Sequence, residues 1–285
     1  MIKIVTDTTA ELSRDYCRAH EIEVIPQIIR FGEETFLEGE EMDEPEFLRR
    51  LKASSTLPGT AAPAPGMFDT TYRNAAEHGY PILSIHPSRE VSGTVAAADV
   101  ARSLYPNADI RVIDTRTIAG CLGEAVKLAV AWRDAGLTAD EIEARLTALI
   151  PRSRTYFLVA TLEYLQRNGR IGGASRLIGS MLQIKPILQL SDGRVEPLDK
   201  VRTYQKALEH LKELVVAECP RSPYARLSVM HADVEADANK LRDELRAALG
   251  IAEIPLYPIG PAITTHAGPG VLAVGFFAAA RPNIS

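Results

Sequence analysis

Aromatic residues are scarce in this 285-residue chain, which contains seven Phe, nine Tyr and one Trp. Sites that stack single-stranded nucleic acid need several rings, so this composition argues against such a site. The formal net charge is −5, so no overall positive field attracts a polyanion. Both observations argue against nucleic acid as a partner.

Cysteine is also rare. The three cysteines, Cys17, Cys121 and Cys219, lie far apart, are odd in number and form no C-x-x-C pair. This pattern argues against a disulfide framework and against a cysteine-ligated zinc site. The six histidines show no H-x-H or H-E-x-x-H spacing, so we expect no metal site.

Long apolar runs and nucleotide motifs are missing as well. No stretch approaches the ~20 apolar residues of a membrane span, and Asp7 interrupts the first apolar run too early for a signal peptide. We therefore expect a cytoplasmic protein without stable membrane insertion. The chain has no G-x-x-x-x-G-K-[ST] segment and no G-x-G-x-x-G segment after a strand, so a nucleotide site has no support.

Short β-rich runs alternate with helical patterns through most of the chain. The runs at 2–6, 81–86 and 109–115 each end in a polar turn. This alternation is typical of an α/β fold with a mostly parallel sheet flanked by helices. Ligands of such sheets bind beyond the carboxyl ends of the strands. We predict two α/β domains, with boundaries at residues 1–150 and 151–285.

Local patterns predict individual elements. Asp43 followed by Pro and by Glu46 marks the start of a helix. We interpret the acidic stretch 33–46, with eight acidic residues and no basic one, as a solvated loop. Near the end of the chain we predict a loop over 261–270, which is rich in Gly, Pro and Thr, and an apolar helix over 271–280.

The segment Arg89–Ala98 places Ser92, Gly93 and Thr94 between a strand and a helix. A helix start exposes free N–H groups, and two hydroxyls beside a Gly suit a carboxylate or a phosphate. An ordinary Ser cap would give the same string. A nucleophilic Ser92 is the third interpretation, although the G-x-S-x-G frame lacks its first Gly.

His266 lies in the string TTHAGPG, beside Thr265. A histidine held among hydroxyls can donate a hydrogen bond to an anion, and it can serve as a base for Ser92. A lone histidine can equally be a buried structural residue.

The segment Gln166–Lys206 has eight basic and three acidic residues, a local charge of +5 within a chain of −5. Scattered surface charge is one interpretation. The other is a docking face for a partner or a phosphate.

Seven segments in order resemble the DegV family, the bacterial fatty-acid-binding proteins that act as the lipid-carrying subunits of fatty acid kinase. They read KIVTDTTAEL, GTAAPAPGMF, SREVSGTVAAA, VIDTRTIAGCLG, TLEYLQRNGRIGG, GSMLQIKPILQLSDGRVEPLDKVRT and GPAITTHAGPG, and the resemblance extends from about Lys3 to Phe277. Each motif alone is modest, and the ordered set carries the resemblance.

The resemblance implies two α/β domains with the acyl chain buried between them, and no catalytic residue or cofactor in this chain. The ligand would be a fatty acid of the hexadecanoate or octadecenoate class. The residues implied to hold its carboxylate are Thr60, Ser92, Gly93 and His266, together with Thr94 or Thr265. A separate ATP-binding kinase subunit would phosphorylate the carboxylate to acyl phosphate for phospholipid synthesis. Arg170 and Arg202 are implied to lie on the face that meets this subunit.

The chain departs from the family pattern at three positions. Ala61 stands where the family has a Ser, which removes one hydroxyl, Asn168 replaces a Gly, and Thr8 replaces the commoner Ser. Two other functions stay open: a hydrolase or acyltransferase that uses Ser92 with His266, and a regulatory protein that senses another carboxylate.

Overall fold

The computed structural model describes residues 2–180, 183–222 and 225–279. The strands in this part of the chain are β1 Lys3–Asp7, β2 Glu23–Ile25, β3 Ile28–Phe31, β4 Glu34–Leu37, β5 Gly59–Ala61, β6 Ile82–His86, β7 Ile110–Asp114, β8 Ser153–Leu158, β9 Lys185–Ser191, β10 Arg194–Val201, β11 Ser228–His231, β12 Leu256–Pro258 and β13 Leu272–Phe277.

The α-helices alternate with these strands. They are α1 Arg14–Ala19, α2 Glu44–Ala53, α3 Asp69–His78, α4 Thr94–Ser103, α5 Ala119–Asp134, α6 Ala139–Leu149, α7 Glu163–Arg167, α8 Tyr204–Glu218, α9 Glu235–Leu249 and α10 Pro261–Ala267. Short 3-10 helices occupy Thr8–Ala10, Pro65–Phe68, Ile150–Arg152 and Gly172–Ser180. No helix in the described ranges is long and apolar enough to cross a bilayer.

A wholly parallel sheet with the strand order β2-β1-β6-β7 lies in the first half of the chain. Alternate residues of a strand point to opposite faces of a sheet. Ile4 and Leu83 pack with α5 and α6 on one face, and Val5 and Ile82 pack with α3 and α4 on the other. The predicted α/β fold, with a parallel sheet flanked by helices, is confirmed.

A six-stranded sheet follows residue 150, in the order β10-β9-β8-β13-β11-β12. Only β11 and β12 pair in parallel within it, and the other neighbours are antiparallel. Strands β4, β3 and β5 form a small antiparallel sheet. Two of the three sheets therefore lie before residue 150 and the third lies after it. Phe277, from the second half of the chain, nevertheless packs in the core around α5 in the first half. The domain boundary at residue 150 stays a prediction.

Local cap chemistry predicted helix starts correctly. Asp43 Oδ1 accepts a hydrogen bond from Glu46 N at 3.0 Å, and Pro45 lies in the first turn of α2. Ser13 and Thr138 cap α1 and α6 in the same way. The three cysteines are free, which agrees with the argument against a disulfide framework, and all three are buried.

Two predictions near the end of the chain were wrong. The predicted loop over 261–270 contains α10, which begins at Pro261 and ends before Gly268. The predicted apolar helix contains strand β13, which lies between β8 and β11 and is buried at every residue. Burial on both faces removes the polar alternation that marks a strand, so the run resembles a buried helix.

The acidic stretch is not simply a solvated loop, because it contains β4 and a buried carboxyl group. Glu38 is 4% exposed, and its Oε1 accepts a hydrogen bond from Ala262 N at 2.7 Å. Glu11 Oε1 accepts from Gly260 N at 2.9 Å. These two carboxyl groups from the first half of the chain therefore hold the amino end of α10.

Burial raises the pKa of Glu38 to about 7, against hydrogen bonds from Ala262 and Thr8 that lower it. Burial and the nearby Glu38 carboxyl group raise the pKa of Glu11 well above its usual range. A raised carboxyl pKa in the folded state stabilises the fold at low pH, and this stability is lost as the pH rises through the folded pKa.

We therefore expect Glu38→Gln to remove part of the loss of stability that occurs as the pH rises to about 7. Between about pH 5.5 and about pH 8.5, the free energy of unfolding should fall by roughly 2 kcal/mol more in the wild type than in the variant. Urea denaturation at both pH values measures the difference. Glu40→Gln, an exposed change in the same loop, is the control. Equal pH dependence in wild type and Glu38→Gln would contradict the prediction.

Candidate functional site

The carboxyl ends of the four parallel strands open onto one cavity. Residues that follow each strand line it: Thr9 after β1, Gln27 after β2, Ser92 after β6 and Ile118 after β7. This is the edge of the sheet at which the sequence predicts a ligand site.

The opposite wall is apolar and comes from the second half of the chain. Strands β8, β9, β10 and β13 contribute Phe157, Leu190, Val195 and Ala273, and α10 contributes Ile263. The cavity is therefore lined from both sides of residue 150. Thr155 of β8 also lines the cavity, and its hydroxyl shares a hydrogen bond of 3.0 Å with that of Thr117.

Ser92 and Gly93 line the cavity immediately before α4. Ser92 Oγ lies 2.8 Å from Thr94 Oγ1 and accepts a hydrogen bond from Thr94 N at 3.3 Å. A Cβ atom at Gly93 would lie 3.1 Å from Ala62 Cβ, so a glycine permits the close approach of this loop to the Thr60 strand. Among the described residues, the N–H of Gly93 has no hydrogen-bond acceptor.

Thr60 on β5 and His266 on α10 meet in the cavity, where Thr60 Oγ1 and His266 Nε2 share a hydrogen bond of 2.8 Å. Burial, together with the positive charge of Arg170, lowers the pKa of His266 to about 4. The ring is therefore neutral near pH 7. Its buried Nδ1 has no hydrogen-bond partner within the described part of the chain.

Thr94 and Thr265 are fully buried, and neither lines the cavity. Thr94 Oγ1 accepts from Gln27 Nε2 at 2.9 Å, and Thr265 Oγ1 donates to the Pro261 carbonyl at 2.8 Å. The structure thus places both hydroxyls behind the cavity wall. Asn168 Nδ2 donates to the Thr265 carbonyl at 2.9 Å, so this departure from the family pattern ties α7 to α10.

Arg170 lines the cavity, a position that the sequence did not indicate. Its Nε donates to the Val91 carbonyl at 3.1 Å and its Nη1 to the Asn168 carbonyl at 2.7 Å. Among the described residues that line the cavity, Arg170 alone carries a permanent charge. Arg202 is exposed between β10 and α8, and it makes no ion pair or hydrogen bond with the described residues.

Nearby acidic residues neutralise part of the positive charge of the segment Gln166–Lys206. Arg167 pairs with Glu163, Arg176 with Glu196, and Arg194 with Glu90. Such exposed pairs contribute little to stability, but they neutralise three of the eight cations. The cations without an ion pair to any described residue include Lys185, Lys200, Arg202 and Lys206.

Sequence reasoning missed Gln27 and Asp7 as residues of the site. Gln27 lines the cavity and is 3% exposed, and Asp7, at the end of β1, is fully buried. Gln27 Nε2 donates to Asp7 Oδ1 at 3.1 Å. The polar turn after β1 was a usable signal for Asp7, whereas nothing in the string VIPQII distinguishes Gln27 from a strand residue.

The geometry does not assemble a serine nucleophile with its base. Ser92 Oγ is engaged with Thr94, and His266 Nε2 is engaged with Thr60. A Ser–His pair requires a hydrogen bond between the two side chains, with a third group that orients the ring. The arrangement instead presents hydroxyl, amide and guanidinium donors to one end of an apolar cavity.

We expect Arg170→Gln to raise the pKa of His266, because the variant removes a nearby positive charge. The pKa should stay below the ordinary value of about 6.5, because burial is the larger cause. Titration of the imidazole signals by NMR measures the change, with His266→Gln assigning the signal. The pKa of His210, which Glu213 and Asp199 raise, is the internal control. Titration of His266 near its ordinary value in the wild type would contradict the prediction.

Comparison with known proteins gives a uniform result. Residues 1–279 match the model of a family described as "Uncharacterised protein, DegV family". A DegV domain-containing protein of Streptomyces coelicolor is 38% identical over 275 residues, which covers 96% of this chain and 97% of the relative. Protein DegV of Bacillus subtilis is 33% identical, with 96% and 98% covered.

Solved structures agree with the sequence relatives. A DegV family protein of Thermus thermophilus, described as binding fatty acid, superposes with a TM-score of 0.90 at 30% identity, over 98% of this chain and 99% of that chain. DegV of B. subtilis, described as a fatty acid binding protein, gives 0.86 at 31% identity with the same coverage. The family match over nearly the whole sequence and these relatives establish that the chain belongs to the DegV family.

Proposed function

We propose that the chain binds a long-chain fatty acid, with the carboxylate at the polar end of the cavity and the acyl chain along the apolar wall. The observation that carries this proposal is a largely apolar cavity in which the donors and one guanidinium group are concentrated together. No acidic side chain among the described residues lines it. The fatty acid binding described for the T. thermophilus and B. subtilis relatives supports the same ligand class.

The energetics favour this ligand over a small polar acid. A buried carboxylate without partners costs several kcal/mol, and the donors around Ser92 and His266 offset this cost. Each buried CH₂ group contributes ~0.8 kcal/mol, so an acyl chain of the hexadecanoate or octadecenoate class supplies most of the affinity.

The proposed carboxylate site combines three distant segments. Thr60, Ser92, Gly93 and His266 line the cavity and offer hydroxyl, N–H and imidazole groups. Thr94 and Thr265 support it from behind, through the bonds of Thr94 to Ser92 and of Thr265 within α10. Arg170 adds a positive charge at the same end, and this charge favours an ionised head group.

We expect Ser92→Ala to weaken hexadecanoate binding by roughly tenfold, because a hydrogen bond to a charged acceptor is lost. The thermal midpoint should change little, since Ser92 is only half-buried. Titration calorimetry with delipidated protein measures the affinity. Ser103→Ala, an exposed change at the other end of α4, is the control.

Three outcomes would contradict the proposal. Lipid-free protein that takes up no hexadecanoate or octadecenoate would exclude fatty acid binding. Covalent labelling of Ser92 by a fluorophosphonate would favour a hydrolase or acyltransferase. Equal affinity for a short and a long carboxylate would favour a sensor of another acid.

We also propose that the bound carboxylate is presented to a separate ATP-binding kinase subunit, which converts it to acyl phosphate in the cytoplasm. The exposed Arg202, which has no ion pair with the described residues, and the nearby Lys200 and Lys206 support a docking face for an acidic partner surface. In this proposal Arg170 lies at the carboxylate, where its charge also suits a transferred phosphoryl group.

We expect Arg202→Glu to slow acyl phosphate formation with the kinase subunit by at least roughly tenfold, while hexadecanoate affinity stays unchanged. The reversed charge weakens association with the partner. Transfer of labelled phosphate from ATP measures the rate. Arg18→Glu, an exposed substitution with the same change in net charge, is the control. Equal rates for the two variants would exclude Arg202 from the docking face.

A further inference from the structure

A continuous line of hydrogen bonds crosses the core of the parallel sheet and ends at the cavity. Its side chains are, in order, Tyr72, Ser84, His86, Asp7, Gln27, Thr94 and Ser92. All of them except Ser92 are buried. Because a buried donor needs an acceptor, the direction of each hydrogen bond can be worked out along the line.

Asp7 fixes the direction at the centre of the line. Its Oδ1 accepts from Thr9 N at 3.1 Å, from Thr9 Oγ1 at 2.6 Å and from Gln27 Nε2 at 3.1 Å. Its Oδ2 accepts from His86 Nδ1 at 2.7 Å, while Tyr72 donates to Ser84 and Ser84 contacts His86 Nε2. A carboxylate only accepts, so the atom of Gln27 that faces Asp7 is the amide nitrogen.

Gln27 is also the donor in its hydrogen bond to Thr94. The same nitrogen, Nε2, also donates to Thr94 Oγ1 at 2.9 Å. Thr94 is fully buried, so its own proton needs an acceptor. Among the described residues, the acceptor within reach is Ser92 Oγ at 2.8 Å.

Ser92 is therefore an acceptor on its inner side. Its Oγ accepts from the Thr94 hydroxyl and from Thr94 N at 3.3 Å. The Ser92 proton is left free, and this side chain lines the cavity. The line of bonds turns a hydroxyl that could point either way into a donor aimed at the ligand.

We propose that Asp7, Gln27 and Thr94 are positioning residues that set the specificity of the site for an ionised carboxylate over an uncharged head group that can also donate, such as an alcohol. The inference rests on the proposed function. A carboxylate offers only acceptors and matches a one-way donor. A fatty alcohol can accept or donate, so it gains little from the fixed direction.

The test compares hexadecanoate with hexadecanol in wild type, Gln27→Met, Thr94→Val and Thr94→Ser. Dissociation constants come from competition with a fluorescent fatty acid, after the probe's own affinity has been measured for each protein. Gln27→Met and Thr94→Val should weaken hexadecanoate binding roughly tenfold and hexadecanol binding less than about twofold. Thr94→Ser keeps the hydroxyl, so it should keep the wild-type ratio of the two affinities.

A double-mutant cycle shows whether the effect passes through Ser92. In a Ser92→Ala background, Gln27→Met should cause little further loss of hexadecanoate affinity. Equal losses for acid and alcohol in Gln27→Met and Thr94→Val would assign these residues a structural role only and overturn the inference. Wild-type affinities for both ligands in the two variants, which also leave the ratio of acid to alcohol affinity unchanged, would overturn it too. A wild type that binds no hexadecanoate would instead overturn the proposed function, and the inference with it.

Discussion

A carboxylate sealed away from water must be surrounded by donors, and Asp7 imposes this requirement on the first half of the chain. It is fully buried at the end of β1 and accepts from Thr9, Gln27 and His86. Losing one donor would leave part of a buried charge without a partner, at a cost of about 1–3 kcal/mol or more. The turns after β1 and β2 are therefore held against the last residue of β6, and residues that follow these three strands line the cavity.

A pair of further carboxyl groups joins the two halves of the chain. Glu11 and Glu38 accept from the backbone N–H groups of Gly260 and Ala262, at the start of α10. This contact places His266, near the other end of the helix, against Thr60 of β5. The pKa values of both acids are raised mainly because these contacts remove the carboxyl groups from water. The position of the imidazole thus depends on residues far from it in sequence.

The sequence predicts what local patterns determine. The strands of the parallel sheet, the cap at Asp43 and the polar turns at the edge that lines the cavity follow from hydrophobic runs and turn chemistry. Strand β13 was misread because both of its faces are buried, and α10 because seven residues between Gly and Pro give little periodic signal. The bond between Asp7 and His86 joins residues 79 apart, and the place of Arg170 in the cavity depends on the packing of α7 against α10. No local pattern encodes such contacts.

Opposite charges lie at the two ends of α10, with acidic groups at its start and Arg170 near His266 at its end. The first N–H groups of this helix are taken by Glu11 and Glu38, so a ligand carboxylate cannot use them. At the other end, Arg170 is close enough to His266 to lower the pKa of the imidazole, which keeps the ring neutral. A neutral ring beside a fixed cation offers an anion one full charge and several hydrogen bonds, without a second cation to desolvate. In the proposed function, the head group therefore lies at the start of α4, where the Gly93 N–H and the Ser92 proton are available, and the apolar wall is left for the acyl chain.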